Sequence, residues 1–307
     1  MREENKTSGI LEQALKIEKT EKKDSSHFVL CNGDKIRYII APDGKKRLSQ
    51  NISTYSGKLG LLMKYLNYIP FCMLEKAGMG YFAKIELHPE IEKAYTQTGK
   101  SAWNMIVGTY DEKQKLVMQC FGENSEEAVF IKIGNSATEN EMNTEMDFLR
   151  QAETYKNFAI PVLVGSMKSS GTVNPFNLQL TREFKGEKVE PVLTEDILEI
   201  YREISAIGHE DDKVPEGYEF SHGDFAPWNI KRTGNSYTVF DWEQCGYRTI
   251  GFDLLHYAAV INVALNGLSF DEACDKGIEE VRKFIPDFQI NKKEFLEEFS
   301  RLRTQIA

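Results

Sequence analysis

One short stretch of the chain carries most of the side chains that could do chemistry. Within twenty-two residues it holds His222, Asp224, Asn229, Asp241 and Glu243. Carboxylate and amide oxygens are hard ligands of the kind that Mg²⁺ takes, usually one or two carboxylates together with substrate phosphates. Phosphoryl transfer needs such ligands, and also a carboxylate that orients the attacking hydroxyl and accepts its proton. The stretch therefore indicates a magnesium-dependent phosphoryl-transfer site. The competing interpretation is a polar turn before a strand that happens to end in carboxylates.

Two local elements are expected to bring these side chains together. Asp241 and Glu243 flank Trp242 at the end of an apolar run that is typical of a strand. Alternation along a strand would put both carboxylates on the same side. Asp224 and Asn229 lie on a loop closed by a short predicted strand, so a carboxylate and an amide can converge on one point.

The order of these motifs resembles that of a known family. The pattern H-G-D-x-x-x-x-N is HGDFAPWN here, D-W-E follows a dozen residues later, and G-x-D-L follows at Gly251, Asp253 and Leu254. Over roughly residues 103–270, the chain resembles the aminoglycoside phosphotransferase and choline kinase group of small-molecule kinases, which are distant cousins of protein kinases.

The resemblance implies roles for individual residues. Asp224 would be the catalytic base, Asn229 and Asp241 the Mg²⁺ ligands, and Glu243 an auxiliary carboxylate of the metal site. His222 would orient the loop rather than transfer protons. The donor would be ATP or GTP, and the acceptor a hydroxyl of a small molecule such as an amino sugar, a sugar, choline or homoserine. No residue selects among these acceptors or between the two nucleotides.

A lysine in the third predicted strand fits the same chemistry. Kinases contact the α- and β-phosphates with such a lysine, paired with a glutamate on the following helix. Lys132 lies inside the apolar run VFIKIG, where an unpaired charge is costly to bury. Glu145 shares a helical stripe with Leu149, whereas a capping box with Thr138 accounts for the rival partner, Glu141. The alternative is an edge-strand lysine that extends to solvent.

The segment LTREFKGE resembles the hinge of the family. Backbone groups near Thr181 and Glu183 would hold the nucleotide base there. The glycine-rich loop of protein kinases is not evident, because residues 107–110 contain one glycine. This departure favours the small-molecule kinases.

Five further residues near these motifs admit structural interpretations. His209 and His256 are expected to be structural, and Trp228 is expected to pack. Tyr247 and Asp253 could help to shape the pocket. The alternative to an enzyme is a catalytically silent, nucleotide-binding regulator, and the joint presence of a lysine, a base and two metal ligands argues against it.

Apolar periodicity and the resemblance together predict an α+β, bilobal, protein kinase-like fold. A β-rich N-lobe with a five-stranded antiparallel sheet and one helix is expected at residues 103–186. A helical C-lobe with the catalytic loop and metal site is expected at residues 187–307. Residues 1–102 form an extension of unassigned role, predicted to pack on the N-lobe, with a loosely held arm up to about residue 26.

Composition limits the partners of this 307-residue chain. Its net charge is −9 and its pI is about 5.3, so no long-range field recruits nucleic acid or an anionic membrane. Five scattered cysteines without a C-x-x-C pair predict reduced thiols and a cytoplasmic protein. No secretory signal is expected at the charged N-terminus. The apolar stretch at residues 59–74 is short of the ~20 residues that a spanning helix needs, and is predicted to be a packed helix.

Overall fold

The computed structural model describes residues 9–46, 48, 65–122, 127–151, 154–168, 175–208 and 214–304. Within these ranges the chain forms two compact units. The first comprises residues up to Met142 together with Leu163–Glu183, and the second comprises Asn143–Val162 and the chain from Phe184 onward. The first unit is rich in strands and the second in helices, which confirms the expected α+β fold class.

The described residues form the following strands and α-helices. In chain order the strands are β1 (Leu15–Lys19), β2 (His27–Asn32), β3 (Lys35–Ile40), β4 (Gly80–Leu87), β5 (Ala102–Val107), β6 (Leu116–Phe121), β7 (Val129–Gly134), β8 (Phe158–Ala159), β9 (Leu163–Lys168), β10 (Asn177–Arg182), β11 (Glu187–Lys188), β12 (Tyr218–Ser221), β13 (Ile230–Thr233), β14 (Ser236–Val239) and β15 (Gly246–Thr249). The helices are α1 (Ile10–Ala14), α2 (Phe71–Lys76), α3 (Pro89–Gln97), α4 (Glu139–Gln151), α5 (Glu195–Ser205), α6 (Phe252–Asn266), α7 (Phe270–Arg282) and α8 (Lys292–Thr304).

The sheet of the first unit has nine strands in the described part of the chain, in the order β1-β4-β2-β3-β5-β6-β7-β10-β9. The five strands predicted from the sequence are β5, β6, β7, β9 and β10. The predicted count of five is wrong because β3 pairs antiparallel with β5, through Tyr38 with Ile106 and Ile39 with Met105. A strand edge offers unpaired backbone groups, and the first hundred residues cover this one with four more strands.

The segment just before β2 is also more ordered than predicted. Ile10, Leu11 and Ala14 of α1 and Leu15 of β1 are buried in the main core of the first unit. The prediction of a loosely held arm is therefore wrong for residues 9–19, since apolar side chains here are removed from water.

The helix predicted at residues 59–74 lies partly outside the described residues. Its described part is a short 3₁₀ turn, Leu66–Tyr68, followed by α2, which begins directly after Pro70. None of the helices in the described ranges is both long enough and apolar enough to cross a membrane. All five cysteines are free.

Helix α4 follows β7 and presents the apolar stripe predicted for it. Met142, Met146 and Leu149 are buried, and so is Glu145, whose residue is only 3% exposed. The division between the two units falls inside this helix.

Glu141 at the start of α4 does not act as the predicted capping residue. Its two carboxylate oxygens accept hydrogen bonds from Lys113 and Lys115, each at 2.7 Å. The Thr138 hydroxyl donates to the Asn135 carbonyl instead. The two lysines hold the pKa of Glu141 below its usual value although its burial opposes them. The capping-box prediction is wrong because two cations from the β5–β6 turn region compete for the carboxylate.

The second unit surrounds helix α6. This helix is buried along most of its length, which explains why its sequence is apolar on nearly every face. Its residues share one core with α7 and α8, formed by Phe252, Leu255, Ala259, Ala273, Cys274, Phe295, Phe299 and Leu302. Two small sheets complete the unit: β11-β13-β14-β8 and the β12–β15 pair.

Candidate active site

The loop that follows β12 carries His222, Asp224 and Asn229. Gly223 in this loop has φ +83°, a left-handed conformation that L side chains rarely adopt. A Cβ atom there would lie 2.2 Å from the Gln244 carbonyl oxygen. The loop can therefore approach the segment after β14 only because glycine occupies this position.

Asp253, in the first turn of α6, holds the backbone of the loop. Its carboxylate accepts from the Ser221 hydroxyl at 2.7 Å, from the His222 amide at 2.6 Å and from the Gly223 amide at 3.0 Å. The residue is 1% exposed, so these three hydrogen bonds satisfy a charge that would be costly to bury alone. The sequence left the role of Asp253 open, and the G-x-D-L motif was the signal that pointed to it.

His222 links the loop to the segment after β14. Its Nε2 lies 3.0 Å from the Phe240 carbonyl oxygen, and its Nδ1 accepts from the Asp224 amide at 3.3 Å. Since a carbonyl can only accept, the hydrogen is on Nε2. Burial lowers the pKa of His222, so the ring is neutral near pH 7. A neutral ring with both nitrogens engaged by backbone is suited to orienting the loop.

Asp224 presents a carboxyl group that remains accessible. Its side chain is 39% exposed, and Oδ2 accepts from Asn229 Nδ2 at 2.9 Å. Partial removal of the carboxylate from water, followed by the negative charge of Asp241, raises the pKa of Asp224 to about 7. A carboxyl group with a pKa near neutrality can both take up and release a proton under ordinary conditions.

Asn229 is oriented by the same loop. Its Nδ2 also donates to the Asp224 carbonyl at 2.9 Å. Because the amide nitrogen donates to Asp224 twice, the amide oxygen is the Asn229 atom that can ligate a metal.

Asp241 does not lie on a strand, which corrects the sequence argument. Strand β14 ends at Val239, and a 3₁₀ turn begins at Trp242. Among the described residues, Asp241 is the one non-glycine residue with positive φ, at 70°. Strand alternation therefore does not bring its carboxylate towards Glu243. A left-handed residue before a tight turn does.

Three carboxylates converge beside this turn. One oxygen each from Glu145, Asp241 and Glu243 lies within 4.8 Å of the other two. Trp242 lies between Asp241 and Glu243 in the chain and donates two hydrogen bonds. Its amide donates to Glu145 Oε1 at 3.3 Å, and the Nε1 of its buried ring donates to the Val239 carbonyl at 2.9 Å. Hard oxygen donors at this spacing fit a divalent cation such as Mg²⁺. The sequence assigned Glu145 to Lys132 and did not anticipate its place here.

Lys132 lies on β7 in the middle of the first unit's sheet. In register it stands opposite Val117 of β6 and Gln179 of β10, so it is not an edge-strand residue. Lys132 and Glu145 belong to different units. Their pairing stays a prediction.

Backbone groups of the predicted hinge already form hydrogen bonds within the first unit. The Glu183 amide donates to the Ala128 carbonyl at 2.8 Å, and the Ala128 amide donates to Glu183 Oε2 at 2.9 Å. Thr181 is paired with Phe130 in the sheet. The Glu183 N–H is therefore already occupied, and a base held at this hinge would use other backbone groups.

The remaining sequence candidates lie in the second unit or outside the described residues. The Tyr247 hydroxyl donates to the Gly208 carbonyl at 3.4 Å, and Trp228 is half-buried beside Asn229. His256 is buried, and its ring lies 3.6 Å from Asp224. His209 is among the residues that the structure does not describe.

Comparison with known proteins agrees with the resemblance drawn from the motifs. Residues 137–281 match the sequence model of the phosphotransferase enzyme family, APH. The matched segment contains the loop after β12, the three converging carboxylates and Asp253. The match confirms the resemblance. None of the individually curated proteins compared with the chain matches it.

Two solved structures are similar to the chain at low identity. A microcompartment-associated aminopropanol kinase is 13% identical, with 69% of this chain and 86% of that chain covered and a TM-score of 0.42. Amicoumacin kinase hAmiN, solved in complex with AMP-PNP, Ca²⁺ and Ami, is 13% identical, with 65% and 80% covered and a TM-score of 0.39.

Proposed function

We propose that the protein is a small-molecule kinase that transfers the γ-phosphoryl group of ATP or GTP, bound with Mg²⁺, to a hydroxyl group. One observation carries the proposal. The second unit presents an accessible carboxyl group, Asp224, whose pKa is raised to about 7, and a separate cluster of three carboxylates whose oxygens converge within 4.8 Å. Phosphoryl transfer requires a proton acceptor and a metal-binding set of this kind.

In the proposed reaction Asp224 acts on the acceptor. The acceptor hydroxyl oxygen forms a bond to the γ-phosphorus, the bond from that phosphorus to the bridging oxygen breaks, and a nucleoside diphosphate leaves. The hydroxyl proton passes to the Asp224 carboxylate. Asn229 fixes Asp224 Oδ2 at 2.9 Å, and Asp253 fixes the loop backbone beneath it. Positioning of this kind supplies much of the rate enhancement in phosphoryl transfer.

Asn229, Asp241 and Glu243 would hold the cation, with Glu145 as a further carboxylate of the set. When bound, Mg²⁺ neutralises phosphate charge during transfer. The chain's own contribution is to fix the ligands: Asp241 by its left-handed backbone, and Glu145 by the hydrogen bond from the Trp242 amide. His222 orients the loop through the Phe240 carbonyl.

Lys132 is proposed to contact the α- and β-phosphates, and backbone near Thr181 and Glu183 to hold the base. Both assignments rest on the sequence resemblance. The acceptor class, amino sugar, sugar, choline or homoserine, rests on it as well. The proposed cytoplasmic location rests on the five scattered cysteines.

The test is nucleoside diphosphate release from Mg-ATP and from Mg-GTP, measured across amino sugars, choline, homoserine and neutral sugars. We expect one acceptor to raise release well above the rate with water alone, and the Asp224→Asn variant to abolish the increase. Nucleotide binding without release for any acceptor would favour the silent regulator. Absence of binding by folded protein would refute the kinase proposal.

A further inference from the structure

Helix α6 places a histidine against the proposed catalytic base. His256 lies one turn after Asp253, and its side chain is 4% exposed. Its Nε2 is 3.6 Å from Asp224 Oδ1, at ion-pair range. Its Nδ1 is 3.0 Å from the Phe225 carbonyl oxygen. The ring thus faces Asp224 with one nitrogen and the neighbouring backbone with the other.

The contact to Phe225 determines the state of the ring. A carbonyl can only accept, so Nδ1 carries a hydrogen and Nε2 is directed at Asp224. Nε2 accepts if the carboxyl group is protonated and donates if the ring is protonated. Either position of the proton makes the contact attractive, and at 3.6 Å it is at ion-pair range and longer than a hydrogen bond. The ring also packs near Phe252 and Phe299, with ring centroids at 6.1 Å and 5.6 Å, which restricts its rotation.

Together with Asn229, this gives each Asp224 oxygen its own protein partner. Oδ2 accepts from Asn229 at 2.9 Å, and Oδ1 faces His256. A carboxyl group contacted at both oxygens is restricted in its rotation, and catalytic contacts that are long without substrate commonly tighten in the reacting complex.

We propose that His256 is a positioning residue for phosphoryl transfer, which fixes the Asp224 carboxyl group through Oδ1 so that it meets the acceptor hydroxyl in one orientation. The proposal rests on the function proposed above, and it replaces the purely structural role that the sequence suggested for this histidine.

Two isosteric variants separate positioning from packing. The amide nitrogen of glutamine reaches about where Nε2 lies, so His256→Gln keeps the contact to Asp224 and loses the contact to Phe225. The amide nitrogen of asparagine reaches about where Nδ1 lies, so His256→Asn does the reverse. With Mg-ATP or Mg-GTP and water as acceptor, we expect kcat of His256→Asn to fall roughly 10–100-fold at unchanged nucleotide KM. His256→Gln should retain most of the rate.

Unfolding midpoints of both variants are measured alongside. The opposite order, with Asn active and Gln inactive, would overturn the proposal, as would equal rate losses that follow lost stability. Nitrogen-15 NMR of labelled histidines provides a readout that does not depend on turnover. The Nε2 resonance of His256, assigned by its absence in His256→Gln, should shift clearly in the Asp224→Asn variant, and an unchanged resonance would overturn the contact. Wild-type protein that neither binds nor hydrolyses nucleotide would count against the kinase function, and the NMR result would still decide the contact.

Discussion

Asp224 and Asp241 are separated along the chain by one hairpin, and their different surroundings suit them to different roles. Asp224 is accessible, hydrogen-bonded to an amide and close to neutral in its pKa. Asp241 has a left-handed backbone and shares its surroundings with Glu145 and Glu243. The first arrangement suits a proton acceptor and the second a cation ligand.

Asparagine variants at the two positions should therefore behave differently. Asp224→Asn should lower turnover by roughly 10²–10⁴-fold and leave Mg-nucleotide affinity nearly unchanged, because the base acts on the acceptor. Asp241→Asn keeps a residue that tolerates positive φ but removes a ligand charge, so Mg-nucleotide affinity should fall as well. Calorimetric titration and steady-state turnover measure the two effects. If both variants lost binding equally, Asp224 would not be the base.

Gly223 tests whether the loop must approach the segment after β14. Gly223→Ala should destabilise the protein by more than the roughly 1–2 kcal/mol of left-handed strain, because its Cβ would meet the Gln244 carbonyl oxygen at 2.2 Å. Gly217 is the matched control, with the same φ of +83° and no atom within 4 Å of the point that a Cβ would occupy. Gly217→Ala should show the strain alone. Denaturant unfolding of both variants gives the comparison, and equal losses would show that the close approach carries no cost.

At the scale of elements, the sequence predicted those features that local signals determine. The stripe of α4 is buried as its spacing indicated, with Met142, Met146 and Leu149 all removed from solvent. The pairing of β3 with β5 was missed because residues distant in sequence form it. The geometry of Asp241 was missed because strand alternation was extended to the end of the apolar run, whereas β14 ends at Val239 and Asp241 has positive φ.

One buried histidine in the first sheet should make stability depend on pH. His27 of β2 packs against Trp103 at a ring-centroid distance of 4.0 Å, and its Nε2 donates to the Trp103 carbonyl. Burial lowers the pKa of His27 to about 4. In the unfolded chain the His27 imidazole is protonated below about pH 6.5. In the folded protein it is protonated only below about pH 4. Stability should therefore fall as pH decreases through this window, by up to about 3 kcal/mol.

Urea unfolding at about pH 7.5 and about pH 4.5 measures the loss, with a His27→Gln variant as the control. The variant has no imidazole at this position, so its loss between the two pH values should be smaller by most of that amount. An identical loss in both proteins would assign the pH dependence to other groups.

Motif spacing selected candidate residues of the second unit, whereas it did not predict which residues lie beside them in the structure. The sequence pointed to Asp224, Asn229 and Asp241 because the three residues belong to motifs that are close together in the chain. It did not reveal that Glu145 of α4 joins Asp241 and Glu243, because that juxtaposition depends on how the helix packs beside the Trp242 turn.

Nucleotide binding should depend on the cation that the three converging carboxylates are proposed to hold. Oxygen atoms of Glu145, Asp241 and Glu243 converge within 4.8 Å, so Mg²⁺ with ATP or GTP should raise the unfolding midpoint more than nucleotide with chelator. At about one hundred times Kd the stabilisation should be about 2.7 kcal/mol. Lys132→Met and Asp241→Asn test the two residues that are proposed to contact the phosphates and the cation. Each should reduce the shift, whereas Lys93→Met, at an exposed position of α3, should leave it unchanged. A full shift in Lys132→Met would remove this lysine from the nucleotide site and leave the assignments of Asp224, Asn229 and Asp241 standing, since they rest on the second unit alone.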